Sequence, residues 1–178
     1  MTTQILIAGF GGQGILFSGK FLAYEGLLED KEVSWLPSYG PEMRGGTASC
    51  SIIISDTKIG SPIVNDPDVL IAMNLPSLDK YEGTTVSGGK IFVDSSLIAR
   101  KVEKADVEAY YIPATSLASE NGLTGLANMI MLGYMIKKTG VIPYDSFDRA
   151  LAKVVPARKQ DMLGANKKAL ELGYNYAE

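Results

Sequence analysis

A layered α/β fold is predicted for this 178-residue chain by three features. Short apolar runs bounded by Gly, Pro, Asn and Asp recur along it. Helical segments separate those runs, and the last third carries helical periodicity in place of strands. This pattern points away from a sandwich.

The first strand is expected over Gln4 to Ala8, followed by the glycine cluster Gly9-Phe10-Gly11-Gly12-Gln13-Gly14. A helix should run from about Gly12 to Leu28, because Ile15, Gly19, Leu22, Ala23 and Gly26 recur at helical spacing as an apolar, small-residue stripe. Gly19 and Ala23 would let that helix sit close to a sheet. Further strands are expected at Glu32 to Leu36, Thr47 to Ser55, Lys58 to Ser61, Val69 to Met73, Lys90 to Asp94 and Glu108 to Ile112. The tight polar turn Ser55-Asp56-Thr57-Lys58 should join the third and fourth of these runs into a hairpin appended to an otherwise parallel sheet.

Beyond the last strand, Thr115 and Ser116 are placed to cap a short helix to Glu120, which Asn121-Gly122 breaks. A longer helix over Thr124 to Lys138 should end at Gly140. Pro143 opens another to Val155, and Pro156 precedes a final amphipathic helix from about Arg158 to Leu172, stopped at Gly173. The expected architecture is one domain over residues 1–178: a three-layer, Rossmann-like, mostly parallel sheet with an appended β-hairpin and a helical C-terminal third.

Composition removes several function classes. The net charge is -3, and no run of Lys or Arg exceeds two residues, so nucleic acid is not an expected partner. The longest apolar stretch, around Met129 to Ile136, falls far short of the roughly 18 residues that span a bilayer, and the N-terminus lacks a basic-then-apolar leader. The expectation is a cytoplasmic chain without a membrane partner. One cysteine and no histidine leave no internal disulfide, Cys/His zinc site, iron-sulfur ligand set or histidine base. Cys50, inside a strand-like run, reads as a small buried apolar residue. No cofactor is expected to be bound by this chain alone.

Two loops carry what chemistry there is. Gly9, Gly11 and Gly14 satisfy G-x-G-x-x-G between a strand and a helix, so the cluster reads either as a tight turn or as an anion-binding helix start. A nicotinamide site would also need an acid ending the second strand. That strand ends Val33-Ser34-Trp35-Leu36-Pro37, with Asp30 and Glu32 at its other end. Gly14 to Lys20 imitates an NTPase phosphate loop, but Phe21 stands where a magnesium-binding hydroxyl is required. The second loop, Ser38 to Gly46, holds Tyr39, Pro41, Glu42, Arg44, Gly45 and Gly46, and Arg44 is the only arginine among the first 99 residues. It reads either as a solvated turn or as a loop held to touch something. Asn128 is placed mid-helix among apolar neighbours, where it needs a hydrogen bond to loop backbone or a ligand contact. Asp94-Ser95-Ser96 follows a strand, with Asp94 read as a helix N-cap.

With both loops in view, the chain resembles the gamma subunit of the 2-oxoacid:ferredoxin oxidoreductases. The resemblance rests on Gly9 to Gly14 with Gln13, Gly19-Lys20, Pro41-Glu42-Met43-Arg44-Gly45-Gly46 with Thr47-Ala48, Ser61-Pro62, Pro67-Asp68, Met73-Asn74, and Ala127-Asn128 with Gly133. It implies a non-autonomous subunit of a thiamine-dependent enzyme that turns a 2-oxoacid and coenzyme A into acyl-CoA and carbon dioxide. The Glu42-Met43-Arg44-Gly45-Gly46 form looks closer to the 2-oxoglutarate or branched-chain type, with 2-oxoglutarate favoured. The resemblance further implies alpha and beta subunits holding thiamine diphosphate, magnesium and iron-sulfur clusters, a ferredoxin-like delta subunit, and ferredoxin as electron acceptor. Gly9, Gly11, Gly12, Gln13 and Gly14 would then offer NH groups to a ligand, and Arg44 would meet a coenzyme A phosphate or a neighbouring chain. Tyr39, Pro41, Glu42, Gly45, Gly46 and Asn128 complete the candidate ligand or interface set. The alternatives are a purely structural assembly subunit, anchored by Tyr39 and Arg44, and a free nicotinamide-binding protein.

Overall fold

The apolar runs form one six-stranded sheet in the computed structural model, which describes residues 1–38 and 48–178. The strands are β1 Thr2–Gly9, β2 Glu32–Ser38, β3 Ala48–Ser55, β4 Val69–Ala72, β5 Lys90–Asp94 and β6 Glu108–Ile112. Their order is β2-β3-β1-β4-β5-β6. β1, β4, β5 and β6 run parallel, and β3 is antiparallel to both of its neighbours. The helices are α1 Ile15–Leu28, α2 Leu75–Tyr81, α3 Ala114–Glu120, α4 Ala127–Thr139, α5 Phe147–Val154 and α6 Leu163–Tyr174.

Alternation along the strands builds two cores. Ile5, Ile7, Cys50, Ile52, Ile71 and Phe92 face α1 and α4, with α5 and α6 outside them. Leu6, Leu70, Ala72, Ile91 and Val93 face the other way, against Leu78 of α2 and Ile98. α1 lies close because it presents glycine to the sheet. A Cβ on Gly19 would stand 2.5 Å from Cys50 Sγ, and one on Gly26 would stand 2.7 Å from Val33 Cγ2. Cys50 is the buried apolar residue expected, and burial pushes its thiol up to about 12.

Four expectations are corrected. No strand forms at Lys58 to Ser61, so the expected hairpin is absent. β3 is already paired on both edges, with Thr2↔Ser55 to one side and Glu32↔Ser55 to the other, and Lys58-Ile59-Gly60-Ser61 offers a single apolar side chain to bury. The antiparallel element is instead β3 itself, inserted between β1 and β2. α2 was not expected, although Asn74 caps it by accepting from Ser77 N at 2.9 Å, and Pro76 stands in its first turn. α1 and α4 begin later than periodicity suggests, since Gly12, Gly14 and Gly125 have φ of 90°, 73° and 90°. Thr115 and Ser116 do not cap α3; Asp94 and Ser96 do so from the end of β5. Asp94 Oδ1 accepts from Thr115 N at 3.4 Å, Oδ2 accepts from Thr115 Oγ1 at 2.6 Å, and Ser116 N donates to Ser96 Oγ at 3.0 Å.

α4 is buried from Asn128 to Ile136 because α6 closes its outer side. The two helices meet through glycine. A Cβ on Gly133 would lie 2.0 Å from Leu170 O, and one on Gly173 would lie 1.8 Å from Ile130 O. Gly133→Ala is therefore expected to lower stability by about 2–4 kcal/mol in urea unfolding. Adding Gly173→Ala should cost much less than its single effect, since one widening of the helix pair relieves both clashes. Full additivity would show that each site yields locally.

Glu25 of α1 is fully buried, with Oε2 accepting from Ser146 Oγ ahead of α5 and Oε1 unpartnered. Burial lifts its carboxyl from 4.5 to about 7; Glu29 and Asp145 push the same way, while the Ser146 bond and Arg149 oppose. The fold thus favours the protonated acid. Its contribution is complete below the unfolded value of 4.5 and is lost as pH rises through about 7. Over that window wild type should lose on the order of 3 kcal/mol relative to Glu25→Gln. Parallel stability–pH curves for the two proteins would refute the assignment.

Candidate functional site

Strand topology selects one edge of the sheet. α1, which follows β1, packs on one face, and α2, which follows adjacent β4, packs on the other. The C-terminal ends of β1 and β4 therefore form a topological switch point, the place where open α/β sheets leave a crevice. The glycine cluster sits there.

Gln13 pins the loop across this point. Its Oε1 accepts from Phe10 N at 2.6 Å, and its Nε2 donates to Met73 O, just beyond β4, at 3.0 Å. Gln13 N closes the turn onto Phe10 O at 3.2 Å. From the other side, Asn128 Nδ2 donates to Gly14 O at 3.1 Å and to Ser18 Oγ at 3.0 Å. Asn128 thus makes the hydrogen bond to loop backbone that its setting required, from the first turn of α4 and not from mid-helix.

The glycines separate by cause. A Cβ on Gly9 would stand 2.5 Å from Gln13 Oε1 and 2.9 Å from Met73 Cβ, and one on Gly14 would stand 2.4 Å from Asn128 Nδ2. Packing accounts for these two, and a left-handed backbone accounts for Gly12. At Gly11 a Cβ would meet nothing within 4 Å, so no contact among the described residues calls for glycine there. Gly11 and Gly12 are exposed, and α1 starts without a side-chain cap. The loop thus presents accessible backbone at a helix N-terminus.

A cavity of about 370 Å³ opens beside this loop, lined by Gly12, Gln13, Leu97, Thr115, Ser119 and Gly125. A second, of about 490 Å³, adjoins it through Gly125 and reaches Gly14, Phe17, Asn128, Arg158, Lys159 and Asn166. Phe10, Leu75 and Leu97, which follow β1, β4 and β5 on the same edge, are 41%, 41% and 47% exposed. Sequence reasoning missed the second cavity. Pro156 and the adjacent cations Arg158-Lys159 were its only local signals.

Tyr39, Pro41, Glu42, Arg44, Gly45 and Gly46 lie outside the described residues, but the flanking Ala48 pairs with Gly9, where the glycine cluster begins. The nucleotide readings lose ground on geometry. The strand beside β1 on the β2 side is antiparallel β3, so no parallel strand end is there to carry a ribose-binding acid. Phe21 is fully buried and Gly19 packs on the sheet, so Gly14 to Lys20 is largely helix and not a phosphate cradle. Among the described residues no group of three His, Cys, Asp or Glu side chains could hold a metal, and no helix is long and apolar enough to cross a membrane.

A switch-point glycine loop with two adjoining cavities marks this edge of the sheet as the candidate binding site. Comparison with known proteins supplies a family. The family model described as pyruvate ferredoxin/flavodoxin oxidoreductase matches residues 4–176, and the chain belongs to this family. The ketoisovalerate oxidoreductase subunit VorA of Methanothermobacter thermautotrophicus is 41% identical over 98% of this chain, which spans only 36% of that protein. The 2-oxoglutarate synthase subunit KorC of Methanocaldococcus jannaschii is 36% identical, covering 100% of this chain and 95% of its own. Among solved structures, the gamma subunit of a keto/oxoacid ferredoxin oxidoreductase from Geobacter sulfurreducens superposes with a TM-score of 0.83 at 29% identity, covering 97% of this chain and 96% of that one. The 2-oxoglutarate:ferredoxin oxidoreductase of Magnetococcus marinus, solved with 2-oxoglutarate, coenzyme A and succinyl-CoA, shares the fold with a TM-score of 0.84 at 24% identity over 97% of this chain and 30% of its own.

The Gln13 bridge is open to a direct test. Gln13→Glu replaces the donor to Met73 O with a carboxylate at high pH and restores an O–H donor when protonated. The variant should be about 1–3 kcal/mol less stable than wild type at pH 8, and the gap should narrow as pH falls towards 4. A gap independent of pH in chemical denaturation would show that the Gln13 amide is not holding β4.

Proposed function

We propose that the chain, as one domain of residues 1–178, is the gamma subunit of a thiamine-dependent 2-oxoacid:ferredoxin oxidoreductase, and that its glycine-loop edge forms the coenzyme A side of the shared active site. The oxoacid in this reading is 2-oxoglutarate, with branched-chain oxoacids as the competing substrates. Alpha and beta subunits would hold thiamine diphosphate, magnesium and iron-sulfur clusters. A ferredoxin-like delta subunit and ferredoxin would carry electrons away in the cytoplasm. The Magnetococcus enzyme, solved with coenzyme A, supports the choice of ligand.

One observation carries the assignment of this edge. Gly12 offers uncrowded backbone on the wall of the 370 Å³ cavity, beside uncrowded Gly11 and the Gln13 bridge to Met73 O at the switch point. Acyl transfer needs the coenzyme A thiol to reach a centre on a partner chain. Exposed Phe10 and Leu97 make an apolar passage for a pantetheine arm leaving the cavity in that direction. The same exposed side chains, with Leu75, favour the second reading, a purely structural subunit whose edge only docks.

Ser119, exposed on the cavity wall, separates the two. In the assembled enzyme, Ser119→Trp should raise the half-saturating coenzyme A concentration by about tenfold or more by filling the cavity. Oxoacid-driven reduction of the clusters without coenzyme A should change far less. A purely structural role predicts either no change or a joint fall in both reactions as the subunit dissociates. Assay with 2-oxoglutarate against 2-ketoisovalerate decides the oxoacid.

A further inference from the structure

A buried acid lies towards the C-terminal end of α1, away from the glycine loop. Glu25 is fully buried where α5 packs on α1, an interface that Phe21 and Phe147 close with ring centroids 5.8 Å apart. Its Oε2 meets Ser146 Oγ, and its Oε1 has no hydrogen-bond partner among the described residues. Ser146 is itself buried, in the 144–146 turn that opens α5, and the same Oγ stands 3.2 Å from Pro143 O.

Proton counting separates two arrangements of this trio. A hydroxyl has one proton and a carbonyl has none, so Ser146 cannot donate to an ionised Glu25 and to Pro143 O together. Either the buried carboxylate or the carbonyl goes without. A protonated Glu25 removes the conflict: its O–H donates to Ser146 Oγ, and the Ser146 proton goes to Pro143 O. The charges that face the group are few. Glu29 on its own helix and Asp145 on the turn disfavour an ionised Glu25, and Arg149 in the first turn of α5 favours it. Asp148 of α5 is held by Lys167, and Lys31, beyond the end of α1, is held by Asp56. β2 and β3 turn uncharged Val33 and Ile54 to the neighbouring Gly26, and α4 ends in Lys137 and Lys138, which lie over Tyr174 and Tyr134.

We propose that Glu25, Ser146 and Pro143 form a proton-operated latch: protonated Glu25 holds the start of α5 on α1, and ionised Glu25 releases it and pairs with Arg149. This goes beyond a pH-dependent stability of the whole chain, because it assigns the change to one helix and one exchange of partners. Once ionised, Glu25 keeps the Ser146 proton, and the turn loses its bond from Oγ to Pro143 O. Arg149 is exposed and joins no ion pair among the described residues, so it can turn inward to the new charge. α5 runs on to Val155 and Pro156, which line the larger cavity. Release of α5 therefore moves that wall, whatever the cavity binds.

Amide hydrogen exchange on the full chain from about pH 6 to about pH 8.5, corrected for the intrinsic pH dependence of exchange, tests the latch. Amides of α5 should lose protection by about tenfold or more relative to those of β1 and β4 as pH rises through about 7. Glu25→Gln cannot ionise and keeps a donor towards Ser146 Oγ, so its α5 protection should stay level. Protection of β1 and β4 in that variant is the folding control. Arg149→Gln, an exposed change, should move the fall to higher pH, since the ionised acid loses its partner. A level wild-type α5, an equal fall in β1 and β4, or the same fall in Glu25→Gln overturns the latch. An unmoved midpoint in Arg149→Gln overturns the exchange of partners.

Discussion

The hydrogen bond from the Asn128 amide to Gly14 O joins segments 114 residues apart, and the functional edge depends on it. Gly14 is the left-handed residue from which α1 departs, and Asn128 stands in the first turn of α4. The bond therefore sets the spacing between the two long helices that cover the same face of the sheet. It is part-buried, and the same amide's bond to Ser18 Oγ is buried, so losing Asn128 would leave polar groups poorly solvated. The Gln13 bridge does the same across the sheet edge, tying the loop to β4. Between them, two amide side chains hold a loop that has little packing of its own.

The switch point explains why a glycine motif that looks like a dinucleotide fingerprint lacks the rest of that apparatus. In a dinucleotide fold the strand after the first helix returns beside β1 in parallel and delivers an acid to the ribose. Here the chain travels one position further, and β3 fills the place beside β1 in the opposite direction. What lies beside Gly9 is then Ala48, the re-entry point from residues 39–47. The antiparallel insertion thus brings the start of β3 beside the glycine cluster.

The parts of this arrangement that were legible in the sequence are the local ones. The α1 stripe could be read because Gly19 and Gly26 lie on one helical face, and both meet the sheet. β1, β5 and β6 begin on polar residues and run into apolar ones. Strand pairing is not local, so nothing in Lys58 to Ser61 disclosed that β3 had already used both edges. α2 is announced by Asn74-Leu75-Pro76-Ser77, a cap followed by proline, but its 7 residues are too few to show a helical period. Asn128 was recognised as needing a partner, but its place at a helix start depends on the φ of Gly125, which no periodicity reveals. The cavity beneath Arg158 and Asn166 had the weakest signal, because it exists only once α6 folds back on α4 through Gly133 and Gly173.

The chain carries no histidine, and its single cysteine is buried. Under the function proposed above, the glycine-loop edge would bind part of a long co-substrate whose reacting end lies on another chain. Binding energy from a non-reacting nucleotide can be used to hold a thiol against a centre on another chain, which lowers the entropic part of the transfer barrier. Such use demands that the two ends of the ligand be rigidly related. In this fold the relation runs through Gly14 and Asn128, which also border the larger cavity, to Gln13 and Met73, which border the smaller one. The interaction that spaces the helices also borders the larger cavity, so loosening it should change that cavity's shape together with the position of the loop.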